Sequence, residues 1–298
     1  MQLSHEIKNS FKEGDILAKL IYINLGVFIL VNLAYVVLFL MNSKDIGEAF
    51  VHEWIAVPSD ISKLIVKPWT LITYMFLHEG FLHILFNLIW IWVFGKIFLE
   101  YWDEKKLLGV YLLGGIVGAF FYIAAFNIFP VFEKVVAGSF ALGASASAMS
   151  IAVAIAVFKP SYRLYLVFLG PVQLKYIALF FVGLDVLTLA RGNPGGHIAH
   201  LGGAFFGYVF ANQYIKKRKD LTSPIIFLLN SIASLFQPKA KMHVHYKKST
   251  KKMTDMEYNK SKAEEQKNMD KILDKIAKHG YDSLTKQEKE QLFRMRNS

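Results

Sequence analysis

Six apolar runs constrain this chain more than anything else in it: residues 20–41, 81–101, 107–128, 142–158, 174–190 and 197–215. Each approaches the roughly 20 helical residues that cross about 30 Å of hydrocarbon, and the last three are near the short end of that range. In such a solvent a spanning segment must satisfy its own backbone hydrogen bonds, which a helix does. The chain is therefore predicted to be an all-α membrane protein with six transmembrane helices. More than half of its residues are apolar (54%), which fits that class and not a soluble domain of this length. The first run is too long for a cleaved leader, lacks a small-x-small exit, and is read as a permanent span. Cysteine is absent, which excludes disulfide and thiolate chemistry.

The net charge of +11 suggests nucleic acid until the basic residues are located. They fall in tails and short loops beside the apolar runs, so membrane topology explains them and no nucleic-acid partner is expected. One side of the membrane receives Lys8, Lys12, Lys105, Lys106, Lys159, Arg163, Lys175 and Lys216 to Lys219; the other receives Lys44, Lys63, Lys67, Lys134 and Arg191. The bias places both termini in the cytoplasm, in a bacterial inner membrane, with residues 1–19 as the amino-terminal tail. Six alternating spans then bring the starts of the fourth and sixth to the same outer leaflet.

Between the first two spans, Phe50, Trp54, Ile61, Ile65 and Trp69 interrupt polar residues, and Pro58 and Pro68 break the stretch. Short interfacial helices are the expected form of this loop. The membrane domain thus covers 20–219. Residues 224–236 are apolar but too short to cross, and are read as an interfacial segment rather than a seventh span. With the Lys-rich polar linker after them they fill 220–266. The remainder, 267–298, is read as a small cytoplasmic helical module: Ile272, Leu273 and Ile276 share a face, Gly280 ends that helix, and Ser283 to Glu288 has the pattern of a capped start. It resembles short carboxy-terminal modules of some bacterial membrane proteins, without implied chemistry.

The fourth run holds Gly143-Ala144-Ser145-Ala146, and the sixth holds His200-Leu201-Gly202-Gly203 with Gly207. A small-residue-flanked serine and a glycine-flanked histidine at matching depth suggest a nucleophile and its base. Each has a structural alternative, a serine bonded back to its helix and a histidine in helix packing. Gly203 and Gly207 form one small-residue face, and Ala144, Ala148, Ala152 and Ala156 repeat at i+4 on the fourth run. Two smooth faces permit the close backbone approach that a Ser145–His200 contact needs. With no Asp or Glu evident beside His200, the pair is read as a dyad. Asp185 is placed toward the cytoplasmic half, as a packing or hydrogen-bonded buried acid rather than a catalytic one. Ser147 is a minor alternative nucleophile. On the second run, His83 and Asn87 sit one turn apart near the outer face, where polar groups require partners or a wet cavity. Their structural alternative is an interhelical hydrogen bond.

The segments His78 to Asn87, Gly143 to Ala146 and His200 to Gly203 with Gly207 together resemble the three signature blocks of the rhomboid intramembrane serine proteases. They stand in that family's order on the second, fourth and sixth spans, and the likeness covers about 20–219. The resemblance implies a six-helix rhomboid-like bundle, catalysis by Ser145 and His200, and oxyanion stabilisation by His83, Asn87 and the Ser145 N–H. His78 lines the route for water or holds its loop. The resemblance further implies transmembrane protein substrates cleaved near the outer face, with membrane lipids as the surroundings and no cofactor or metal. Two departures stand out. Ala146 occupies a position where the family usually has glycine, and Met149 one where an aromatic often packs on the histidine; a thioether can fill that space.

Three other functions compete. A metalloprotease drawing on His78, His83, His197 and His200 lacks the H-E-x-x-H pattern and a nearby carboxylate. A transporter needs polar groups at mid-membrane, whereas these lie toward one face. A non-catalytic rhomboid-like protein that binds membrane clients would lack the nucleophile or the base, and both are present.

Overall fold

The computed structural model describes residues 15–236 and 254–296. The expected tail over 1–14 and the linker over 237–253 lie outside the described residues. Contacts divide the chain into two compact units, Met1–Gln237 and Pro238–Ser298.

In the first unit each of the six apolar runs is a helix. Asp15 accepts the Ala18 N–H at 2.8 Å and starts α1, Ile16–Leu40. Next come α5, Phe81–Leu99, and α6, Glu104–Ile128, the latter started by Asp103 on the Lys106 N–H at 2.9 Å. The fourth and fifth runs are shorter helices, α7, Ser145–Phe158, and α8, Leu174–Thr188. The sixth is α9, Pro194–Lys217, with Pro194 in its first turn, Asn193 capping the Gly196 N–H at 3.0 Å, and Arg218 in the left-handed region at its end. By length and composition α1, α5 and α6 are long and apolar enough to cross a membrane.

The connection before α5 holds the expected short helices, α2, Lys44–Trp54, α3, Ile61–Val66, and α4, Thr70–Thr73. Two polar anchors hold it in shape. Lys67 donates to a Glu53 carboxylate oxygen at 2.6 Å and to its carbonyl at 3.0 Å, and the Trp69 indole donates to the Trp54 carbonyl at 3.0 Å. The Lys67 hydrogen bond holds the Glu53 carboxyl below its ordinary range.

The expectation of an all-α protein requires one correction. Two short antiparallel pairs are present, β1, Val57–Pro58, with β2, Phe140–Ala141, and β3, Arg163–Leu166, with β4, Gly170–Gln173. Backbone groups in the connections need partners as much as those in helices, and where no helix forms they find them across strands. The first pair ties the loop before α5 to the segment leading into α7.

Packing centres on α7, which is buried along nearly its whole length, from Ala146 to Ala156. Helix α9 packs most extensively on α7 and α6. A Cβ on Gly203 would lie 2.1 Å from the Ala146 carbonyl oxygen, and one on Gly207 2.3 Å from that of Ser150. The α7 stripe that receives α9 is therefore Ala146, Ser150 and Ala154, not the expected Ala144, Ala148, Ala152 and Ala156. The alanine repeat is real, but the contact is made through backbone atoms two positions away. On the other side, Gly114 and Gly118 of α6 admit Ser150 and Ala146 just as closely. The apolar segment after α9 is α10, Ser223–Phe236, which packs on α6 beside the fit of Thr222 onto Gly109.

In the second unit α11, Asp255–His279, begins well before the expected module boundary at 267. Thr254 and Glu257 form a capping box, so 255–266 are helix rather than linker; their Lys-rich polarity reflects a solvated helix. Gly280, at φ 77°, ends it. A second reciprocal cap, Thr285 with Glu288, opens α12, Lys286–Arg296, and Lys275 reaches both Glu288 oxygens at 2.9 Å.

Candidate active site

Ser145 is the first residue of α7, and the chain turns sharply to deliver it. Gly143 adopts φ 114° and donates its N–H to the Tyr74 carbonyl at 2.9 Å. A Cβ there would meet His83 Cε1 and Nε2 at 2.8 Å, so only glycine satisfies both the backbone angle and the space. The same point lies 3.9 Å from Ser145 Oγ, which puts the His83 ring beside the serine. Helix α7 begins without a side-chain cap, leaving its first N–H groups, Ser145's included, available to a developing anion. At 14 residues it is about 21 Å long, less than the hydrocarbon thickness, so an end of it stops short of a membrane face.

His78 has zero exposure and lines neither cavity at Ser145. The Ala144 N–H donates to its Nε2 at 3.3 Å, while Nδ1 lies 3.4 Å from the Phe76 carbonyl. It holds the turn into α7. Burial, then the neighbouring His83, push this loop histidine down to about 4.

His200 lies in the second turn of α9. Its Nδ1 is 2.9 Å from Asp185 Oδ1, and His197 Nδ1, one turn earlier, is 2.8 Å from the same oxygen. Asp185 is the hydrogen-bonded buried acid that was expected, but two expectations are corrected: it stands at the site and not away from it, and the histidine has a carboxylate partner. The cause is direction. Helix α8 runs from the Lys175 side of the bundle toward the site, and Asp185 stands eleven residues along it, about 16 Å from its start. A carboxylate accepting from Nδ1–H fixes the tautomer that leaves Nε2 free to take a proton. Asp185 is 6% exposed, and among the described residues its Oδ2 has no hydrogen-bond partner.

Ser145, His200, His83 and Asn87 line one cavity of about 770 Å³ between α5 and α8, whose apolar wall includes Phe86, Trp90, Phe181 and Leu184. Met149 faces it, with Trp90 and Phe181 packed around the same small cluster. A second cavity of about 440 Å³, with His52, Glu79 and Asn193 in its wall, meets the first at Ser145 and His83. His52 and Glu79 are paired there. Among the described residues Ser145 and His200 share the cavity without a hydrogen bond between them; such bonds commonly tighten only with substrate. One Asn87 amide proton goes to the His83 carbonyl at 2.9 Å. Ser147 is buried with an unpartnered Oγ facing Gly115, away from either cavity. Ala146, the departure after the serine, is matched by Gly118, whose Cβ would lie 2.6 Å from its methyl.

Residues 66–217, about half of the chain, match the family model described as the rhomboid domain. The chain belongs to the rhomboid family. It is an integral membrane protein. RHOMBOID-like protein 12, mitochondrial, of Arabidopsis thaliana is 32% identical over 144 residues, 45% of this chain and 43% of that protein. The human presenilin-associated rhomboid-like protein, mitochondrial, is 28% identical over 173 residues, 53% and 41% of the two chains. The rhomboid protease GlpG of Salmonella paratyphi A is 32% identical over 91 residues, 30% and 32%. The matched region thus spans less than half the length of these relatives. Residues 252–295 match a separate family of unknown function, DUF6576.

The rhomboid match encloses every residue named from the larger cavity's wall, whereas His52 of the smaller one lies before it. The four residues singled out in the sequence, Ser145, His200, His83 and Asn87, line one cavity, but the Asp185 pairing was missed. The available signal was an acid in an apolar span, which needs a named partner.

Proposed function

We propose that this rhomboid protein is an intramembrane serine endopeptidase built as a six-helix membrane bundle, hydrolysing peptide bonds of transmembrane substrates near the outer face. The observation that carries this reading is the shared cavity: a serine at an uncapped helix start and a histidine whose Nδ1 is held by Asp185. Ser145 Oγ bonds to the scissile carbonyl carbon as its proton passes to His200 Nε2. The carbonyl oxygen, now an anion, is stabilised by the Ser145 N–H with His83 and Asn87. Collapse breaks the C–N bond, and His200 returns the proton to the leaving amine. Water reaching the acyl-enzyme from the polar cavity gives one proton to His200, and Ser145 recovers it as the acid leaves. The apolar wall between α5 and α8 suits an unwound end of a substrate helix.

Loop charge supports cytoplasmic termini, with α10 and the short helices α2 to α4 at the interfaces. Two relatives carry mitochondrial names and one is a Salmonella enzyme; a bacterial inner membrane is the proposed setting. The Salmonella relative is named a protease, whereas "rhomboid-like" names no activity, so client binding without cleavage is the rival. Purified protein in lipid, given a model transmembrane substrate, separates them. Cleavage lost in Ser145→Ala and His200→Ala supports the protease; cleavage that persists in both, or is absent from wild type across many substrates, refutes it.

A further inference from the structure

We propose that Asp185, His197 and His200 bind one divalent transition-metal ion of the zinc type, and that the bound ion withdraws His200 from its role as base. One ligand atom from each residue lies within 4.8 Å of the others. His197 and His200 are one turn apart on α9, their rings at 89°, and both present Nδ1 to the same carboxylate oxygen. Two imidazoles and one carboxylate form the donor set of catalytic zinc sites, which keep a fourth position for water. The adjoining cavity supplies that position.

The distances fit. Zinc bonds of about 2.0–2.2 Å in a tetrahedron put ligand atoms about 3.3 Å apart. The present N···O separations of 2.8 and 2.9 Å need widen only slightly to admit an ion. A second observation points the same way. Asp185 Oδ2 is buried and unpartnered, an acceptor without a donor in a carboxylate almost wholly withdrawn from solvent, and a cation beside the group would satisfy it.

The consequence for cleavage follows from the tautomer and rests on the protease reading; the binding does not. As base, His200 keeps its proton on Nδ1 and accepts at Nε2. As ligand, it gives the Nδ1 lone pair to the metal and carries its proton on Nε2, where it cannot accept one from Ser145. Metal binding and catalysis exclude each other at one imidazole.

The test uses the full, untagged chain in detergent, with zinc sulfate titrated by calorimetry into wild type, Ser145→Ala, His197→Gln and Asp185→Asn, each first checked for an unchanged metal-free unfolding midpoint. One equivalent bound by wild type and Ser145→Ala, and weakened on the order of tenfold or more in His197→Gln, supports the site. If Asp185→Asn fails to fold, His197→Gln decides alone, because its side chain is on the cavity wall. Zinc retained with equal affinity in His197→Gln, as binding at His243 or His245 would give, overturns it, and so does no saturable binding. In the cleavage assay, with wild type and His197→Gln each scaled to its own metal-free rate, zinc should inhibit wild type with a midpoint that rises at least about tenfold in His197→Gln. Saturation without inhibition overturns the exclusion. A wild type that binds zinc but cleaves no substrate refutes the protease and leaves the metal site standing.

Discussion

Adding one methyl group at Gly203 should separate the two halves of the site. The new Cβ would lie 2.1 Å from the Ala146 carbonyl oxygen, 2.8 Å from its carbon and 3.1 Å from its Cα. All three are backbone atoms, so no rotamer relieves the overlap. Ordinary contact begins at 3.4 Å, so α9 must move away from α7 by about 1.3 Å. Gly203 is one turn beyond His200, and Ala146 follows Ser145, so the displacement acts on both proposed catalytic groups. A misplacement of about 1 Å typically costs on the order of 100-fold in rate, and overpacking costs about 1–3 kcal/mol of stability. Gly203→Ala is expected to lower cleavage by that order and to lower the thermal midpoint of the detergent-solubilised protein. Gly26→Ala in α1, where a Cβ meets nothing within 4 Å, is the control and should be neutral or slightly stabilising. Unchanged cleavage and midpoint in Gly203→Ala would refute the claim that backbone contact of α7 and α9 sets the Ser145–His200 distance.

Gly143→Ala combines a positive-φ penalty with a contact on the His83 ring, and should cut turnover at least about 100-fold while substrate binding changes less, as single-turnover kinetics would reveal. Asp185→Asn removes the acceptor that fixes the His200 tautomer; a loss between about 100- and 10,000-fold in turnover is expected, and a change under about twofold would mean the dyad works without it. His78 supplies a pH test. Its folded-state value of about 4 lies below the ordinary 6.5, so on acidification the unfolded chain takes up the proton first. That contribution to stability is intact above about pH 6.5 and falls by about 3 kcal/mol as pH drops toward 4. His78→Gln should flatten this part of the midpoint-versus-pH curve, and a superimposable curve would discount it.

Much of this protein was legible in its sequence, because membrane spans and helix ends are local matters. The six runs became helices, Gly280 ended its helix where expected, and the serine and histidine stood out as polar groups flanked by small ones. The start of α7 was misplaced by three residues, since Leu142, Gly143 and Ala144 are apolar enough to extend a helix. Contacts with Tyr74 and His78 hold Gly143 and Ala144 out of it. Likewise the alanine repeat on α7 revealed a smooth face but not which neighbour would use another. Tertiary structure alone decided that Asp185 meets His197 and His200, for a carboxylate in an apolar run announces its need of a partner and not the partner's position. Hydrophobic length is written residue by residue along one strand of chain; the meeting of three helix ends depends on how close their backbones can come, which the glycines of α6 and α9 permit.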